Sequence, residues 1–229
     1  MSIISEIERC LVVMAHPDDE VLACGGTIAK LVSQGTTIHQ LFLSDGEGSR
    51  RSTVTSESRL VREESCIRAS VILGIKKTEI LEFPDNEFDT VPLLDLIIKI
   101  EGVINEFRPQ LIITHSSVDL NIDHKKTCEA VITAARPQSW ASTCAVIGGE
   151  VLSSTEWSFC SPDMFKPDLF VDISAFTHLK TAALAAYSAE LRSHPHPRSI
   201  EAITSLMSLR GSTIGVHSAE AFKLYYAIL

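Results

Sequence analysis

Cys10-Leu11-Val12-Val13-Met14-Ala15-His16-Pro17-Asp18-Asp19-Glu20-Val21-Leu22 is the stretch on which the fold turns. An unbroken apolar run of strand length, 10–14, ends in a loop holding one imidazole and three carboxylates. Residues 20–34 then carry apolar side chains at helical spacing (Val21, Leu22, Ile28, Leu31, Val32), and Gly35 can end that helix. A fully apolar strand feeding a helix is the unit of a parallel sheet buried on both faces.

Working outward, the same unit recurs. Residues 37–43 predict a second strand and 58–73 a helix stopped by Gly74; 79–83 predict a short strand cut by Pro84 and 92–107 a helix; 111–114 predict a strand and 123–135 a helix closed by Pro137. Four strand–helix units in a row imply an α/β fold with a mostly parallel central sheet between helices. Beyond residue 140 the pattern loosens. Strands are expected at 144–147 and 169–173, helices at 175–191 and 199–209, and a last helix from about Ser218, with room for a small antiparallel piece. No repeat or linker divides the chain, so one domain over 1–229 is expected.

Composition narrows the function classes. The 229 residues are 45% hydrophobic and 21% charged, with a net charge of -9. That balance suits an ordered domain and argues against a nucleic-acid backbone binder, which needs a basic face. It argues more weakly against an anionic membrane surface. The N-terminal stretch carries acid early and has no long apolar core, unlike a secretory leader, and no run is long enough to span a bilayer; a cytoplasmic protein is expected. The six cysteines (Cys10, Cys24, Cys66, Cys128, Cys144, Cys160) form no C-x-x-C pair and read mostly as small buried hydrophobes in a reducing compartment.

In open α/β sheets ligands bind beyond the C-terminal strand ends, which directs attention to loops 15–20, 44–51, 84–88 and 115–124. Carboxylates as crowded as those of the first loop resist joint ionisation unless a cation neutralises them. His16 and Asp19, three apart at a strand-to-helix turn, can both reach one ion, leaving Asp18 free beside it. The loop His115-Ser116-Ser117-Val118-Asp119-Leu120-Asn121-Ile122-Asp123-His124 offers a second histidine to the same rim. Two His and one Asp with an open position is the layout of a catalytic zinc site. Zinc brings the pKa of bound water near neutrality, and Asp18 stands to take its proton as that water attacks an amide carbonyl. Asp123, next to His124, is placed to orient a ring nitrogen.

The motif Ala15-His16-Pro17-Asp18-Asp19-Glu20, the pair Asp123-His124, and the tail Arg210-Gly211 with Gly215-Val216-His217-Ser218-Ala219-Glu220-Ala221-Phe222 resemble the LmbE-like, or PIG-L, deacetylases over nearly the whole chain. The resemblance implies a Rossmann-like three-layer fold and zinc-dependent hydrolysis of an N-acetyl group on an amino sugar, commonly glucosamine. By position it assigns His16, Asp19 and His124 to zinc and Asp18 to the general base. It sets Arg62 and Asp85 near substrate-binding positions. Many members carry a histidine where this chain has Asn121, which can polarise a carbonyl but cannot serve as an acid; His217 is the candidate for the missing proton donor. Trp157 is a candidate for stacking on a sugar ring, while His194 and His196 read as loop residues. The expected partner is a small-molecule or glycoconjugate amino sugar, with a homo-oligomer plausible. Two other classes compete: a magnesium-dependent phosphoryl hydrolase, disfavoured by the histidine pair, and a metal-binding module without turnover, disfavoured by the spare Asp18.

Overall fold

Strand β1 (Arg9–Met14) is apolar from Cys10 onward because it faces two cores at once. In the computed structural model, which describes residues 7–48, 56–137 and 145–228, Cys10, Val12 and Met14 join one core while Leu11, Val13 and Ala15 join the other. The first core is closed by helices α1 (Asp19–Ser33), α2 (Ser56–Leu73), α5 (Thr177–Ala186) and α6 (Ile200–Ile214). The second lies under α3 (Leu93–Phe107) and α4 (Ile122–Ala134). The result is the expected three-layer α/β sandwich.

The remaining strands are β2 (Thr37–Phe42), β3 (Lys77–Ile80), β4 (Leu111–His115), β5 (Ala145–Gly149), β6 (Leu169–Asp172) and β7 (Ala219–Ala227). They stand in the order β3-β2-β1-β4-β5-β7-β6. The first five are parallel, and β7 runs antiparallel between β5 and β6. The chain winds outward from β1 in one direction, then returns to place β4 on its other side. That reversal opens a crevice between the loops after β1 and β4.

Three expectations are corrected. The final segment is a strand, not a helix: Ala219 to Phe222 are all buried between two neighbouring strands, so the period-two signal is lost and helix-favouring Ala, Glu, Lys and Leu mislead. The helix expected over 175–191 ends at Ala186, and the strand expected over 79–83 lies at Lys77–Ile80. Among the described cysteines, Cys10, Cys24, Cys66 and Cys128 are buried and Cys160 is exposed; Cys144 lies outside the described residues. No helix among the described residues is long and apolar enough to cross a membrane.

Candidate metal centre and cleft

The loop after β1 turns sharply into α1. Asp18 takes a φ of 109°, a region costly for a side-chain-bearing residue, and several contacts hold it there. Its N–H donates to Glu20 Oε2 (2.9 Å), and its Oδ2 lies 2.8 Å from Arg198 Nη1 and 3.5 Å from Arg62 Nη2. Glu20 therefore sits behind the loop rather than beside an ion. The Tyr187 hydroxyl also donates to it (2.8 Å), and burial pushes its carboxyl up to about 8. Gly46 packs against this turn: a Cβ there would lie 3.0 Å from both Arg62 Nη2 and His16 Cβ, and its φ of 72° suits glycine.

At the head of the crevice, ligand atoms of His16, Asp19 and His124 all lie within 4.8 Å of one another, and all three side chains are buried. Asp19 Oδ2 is 3.3 Å from His16 Nδ1 and 3.3 Å from His124 Nε2. The outward nitrogen of each ring faces a carboxylate. His16 Nε2 lies 3.0 Å from both Asp85 Oδ1 and Asp123 Oδ2, and His124 Nδ1 lies 3.3 Å from Asp119 Oδ1. Such partners fix ring orientation and turn the other nitrogen's lone pair inward. Asp119 is itself held by the Ser154 and Thr155 hydroxyls, the latter at 2.6 Å.

Asp123 thus orients an imidazole, but that of His16 rather than of its neighbour His124. It does not cap α4 either: Asn121 does, accepting the Asp123 N–H at 2.8 Å. The Asp123 carboxylate instead accepts the N–H groups of Asn86 (2.6 Å) and Phe88 (3.0 Å), drawing the loop after β3 to the site. His16, Asp85 and Asp123 also bring ligand atoms together, but those hydrogen bonds leave Asp123 a poor ligand and make the group a brace for His16.

The donor set fits a divalent cation. Asp19 Oδ1 is buried and has no hydrogen-bond partner among the described residues. Burial opposes protonation of His16, yet the carboxylates of Asp123, Asp19 and Asp85 outweigh it and hold the pKa above the ordinary value. So much acid around the rings favours positive charge at this point, which a proton supplies in the free site and a divalent ion would supply in its place. Nitrogen and carboxylate donors without thiolate suit zinc.

Behind the centre, His115 stacks on His124 (ring centroids 3.9 Å apart), and its Nε2 accepts the Ala15 N–H at 2.8 Å. Burial, with the adjacent His124, pushes it down to about 3, so it stays neutral.

In front lies a cavity of about 140 Å³ reached by His16, Asp18, Asp85, Asn121, His124 and Arg198, among others. Arg62 lines it too, although its Nη1 lies 2.8 Å from Glu190 and its Nη2 donates to the Pro17 carbonyl (2.7 Å). Asp18 is drawn two ways: burial raises its pKa, while Arg198 and Arg62 oppose the rise. His217 stands apart. It is exposed and electrostatically close to Asp172 at the end of β6, and it does not line the cavity. Trp157 is half-buried and meets His196 edge to face. Residues 49–51 of the loop 44–51 lie outside the described residues.

Sequence reasoning missed Arg198 and gave Asp119 no role. Asp119 was visible as an acid five residues before His124. Nothing in the spacing of Ser193-His194-Pro195-His196-Pro197-Arg198 points back to Asp18.

The chain is similar to several known proteins in sequence and fold. A diacetylchitobiose deacetylase of Thermococcus kodakarensis is 30% identical over 196 residues, spanning 81% of this chain and 71% of that one. A 4-oxalmesaconate hydratase of Pseudomonas putida is 25% identical over 195 residues, 80% of this chain and 74% of its own. A conserved protein of Thermus thermophilus, known from its crystal structure, superposes with a TM-score of 0.77 at 26% identity, covering 97% of this chain and 96% of that one. The model of the PIG-L family, described as GlcNAc-PI de-N-acetylase, matches residues 11–135, which run from within β1 past the end of α4 and include both loops of the crevice; the chain belongs to the PIG-L family.

Proposed function

We propose that this chain is a zinc-dependent N-deacetylase that releases acetate from an N-acetylated amino sugar. The observation that carries the reading is the meeting of His16, Asp19 and His124, with the separate carboxylate of Asp18 at the same cavity. His16, Asp19 and His124 would hold the metal. When bound, zinc supplies a Lewis acid for the carbonyl and a water acidic enough to attack near pH 7.

The chain's own groups do the rest. Asp18 accepts the proton of the attacking water as the C–O bond forms. Arg198 and Arg62 hold it for that task, and Arg198 is braced in turn by donating Nε–H to Ser153 Oγ (2.7 Å). Asn121 commits Oδ1 to the helix cap, which leaves its amide N–H groups to donate toward the acyl oxygen. With His217 away from the cavity, Asp18, which lines it, passes the proton taken from water on to the departing amine, and burial favours its protonated form. Arg62 and Asp85 meet substrate at the rim, and Asp85 also braces His16. The positive charge of both arginines is largely balanced by Asp18 and Glu190, which suits a neutral sugar better than a polyanion.

The test is acetate release from diacetylchitobiose and a panel of N-acetylglucosamine conjugates, with and without a chelator. Chelator-sensitive release that zinc restores is expected. Hydration of 4-oxalmesaconate without release of acetate from any panel member would replace the deacetylase reading with the activity of the hydratase relative.

A second comparison separates the two candidate helpers. Asn121→Ala should lower kcat by roughly 10²–10³-fold, as loss of an oxyanion donor does. His217→Ala should leave kcat within about twofold, the behaviour of a surface change away from special features. The reverse ranking would return His217 to the reaction.

A further inference from the structure

The C-terminal motif lies outside the cavity, yet its acid is buried. Helix α1 is two pieces joined at Cys24, whose φ of -145° and ψ of 18° are not helical. Such a break frees carbonyls on one side and N–H groups on the other. Glu220, at the start of β7, accepts two N–H groups that follow the break, from Gly26 (2.9 Å) and Thr27 (2.7 Å). Lys180 of α5 donates to the Leu22 carbonyl before it (2.8 Å) and to Glu220 Oε1 (2.6 Å). Both side chains are buried, at 2% and 4% exposure. The piece after the break has no room to slide: a Cβ on Gly26 would lie 2.7 Å from Ile173 Cδ1. The piece before it carries Asp19 and Glu20 and springs from Asp18.

We propose that the Lys180–Glu220 pair is a positioning device that sets the angle of the break in α1, and through it the placement of Asp18 and Asp19 against His124. Neither residue lines the cavity. An apolar pair would staple α5 and β7 to α1 equally well, and replacing buried ion pairs by apolar groups often leaves stability unchanged or improved. What an apolar pair cannot do is satisfy the groups the break exposes. The inference rests on the metal-centre reading above, so its test includes a measurement that does not use turnover.

In the full chain, Glu220→Gln keeps the shape and one acceptor but loses the second, and Lys180→Met with Glu220→Leu removes the pair altogether. Amide exchange over residues 18–23 of the metal-free protein, zinc affinity by competition titration, Tm, kcat and KM are measured for each. Glu220→Gln should speed exchange in that segment at least tenfold relative to the rest of α1. It should weaken zinc binding by about 10–100-fold, the range seen when an outer partner of a metal ligand is lost, and lower kcat with KM nearly unchanged. The apolar double variant should hold its Tm near that of the unmutated chain without recovering zinc affinity or slow exchange. Unmutated exchange and zinc affinity in Glu220→Gln, or zinc affinity that recovers together with Tm in the double variant, would reduce the pair to a staple and overturn the inference. The exchange measurement decides the matter whether or not the unmutated chain releases acetate.

Discussion

Asp18→Asn is expected to cut kcat for acetate release by about 10²–10⁴-fold, the usual contribution of a positioned general base, while zinc content stays at the unmutated level. Asparagine is the informative replacement. Asp18 sits at a φ of 109°, where asparagine is tolerated better than most residues, so the turn should survive the change. The amide keeps the size of the carboxylate and can still accept from Arg198. It cannot take a proton from water. Asp18 lies beside the three-residue donor group and not in it, so metal content is the control that separates lost chemistry from a lost site. Arg198→Met should act in the same direction with a smaller loss, because it removes the 2.8 Å partner of Asp18 and leaves the base present. An Asp18→Asn protein that keeps half its activity would remove Asp18 from the mechanism.

His124→Ala is expected to abolish acetate release and the response to metal together. Its Nε2 faces Asp19 Oδ2 at 3.3 Å, and its other nitrogen is held toward Asp119. Removing it leaves one imidazole and one carboxylate, too few for the three-ligand open site that catalytic zinc uses. The loss of zinc affinity should exceed the roughly 10–100-fold that removal of an outer partner costs, which Asp119→Asn measures in the same protein. A stability readout accompanies it. A ligand that binds only the folded chain, at a thousandfold excess over Kd, raises the Tm of a domain this size on the order of 10 °C. Zinc should do so for the unmutated chain and not for His124→Ala. If the variant keeps a zinc-dependent rise in Tm, the metal sits elsewhere.

What could be read in advance was local. The apolar run at residues 10–14 and the acids and histidine that follow are neighbours in the chain, and strand-to-helix geometry brings them to one rim. The loop ending in Asp123-His124 follows the same logic after β4. Sequence spacing could not say which carboxylate serves which ring. Asp123 adjoins His124 in the chain but braces His16, because the helix begun at Asn121 turns it toward the loop after β3. Nor could spacing show that Glu20, third of three acids, points into the core to meet Tyr187. Arg198 was invisible because its partner lies 180 residues away. Strand β7 was misread because its environment, not its composition, makes it a strand.

The bond between Asp18 and Arg198 also orders events in time. During synthesis His16, Asp18, Asp19 and His124 leave the ribosome long before the arginine that braces Asp18. The acid is fully braced only after the segment at residue 198 has emerged and docked, and the break in α1 is held only once Glu220 has followed. A chain cut short before residue 198 therefore lacks both braces and should assemble the crevice only in part.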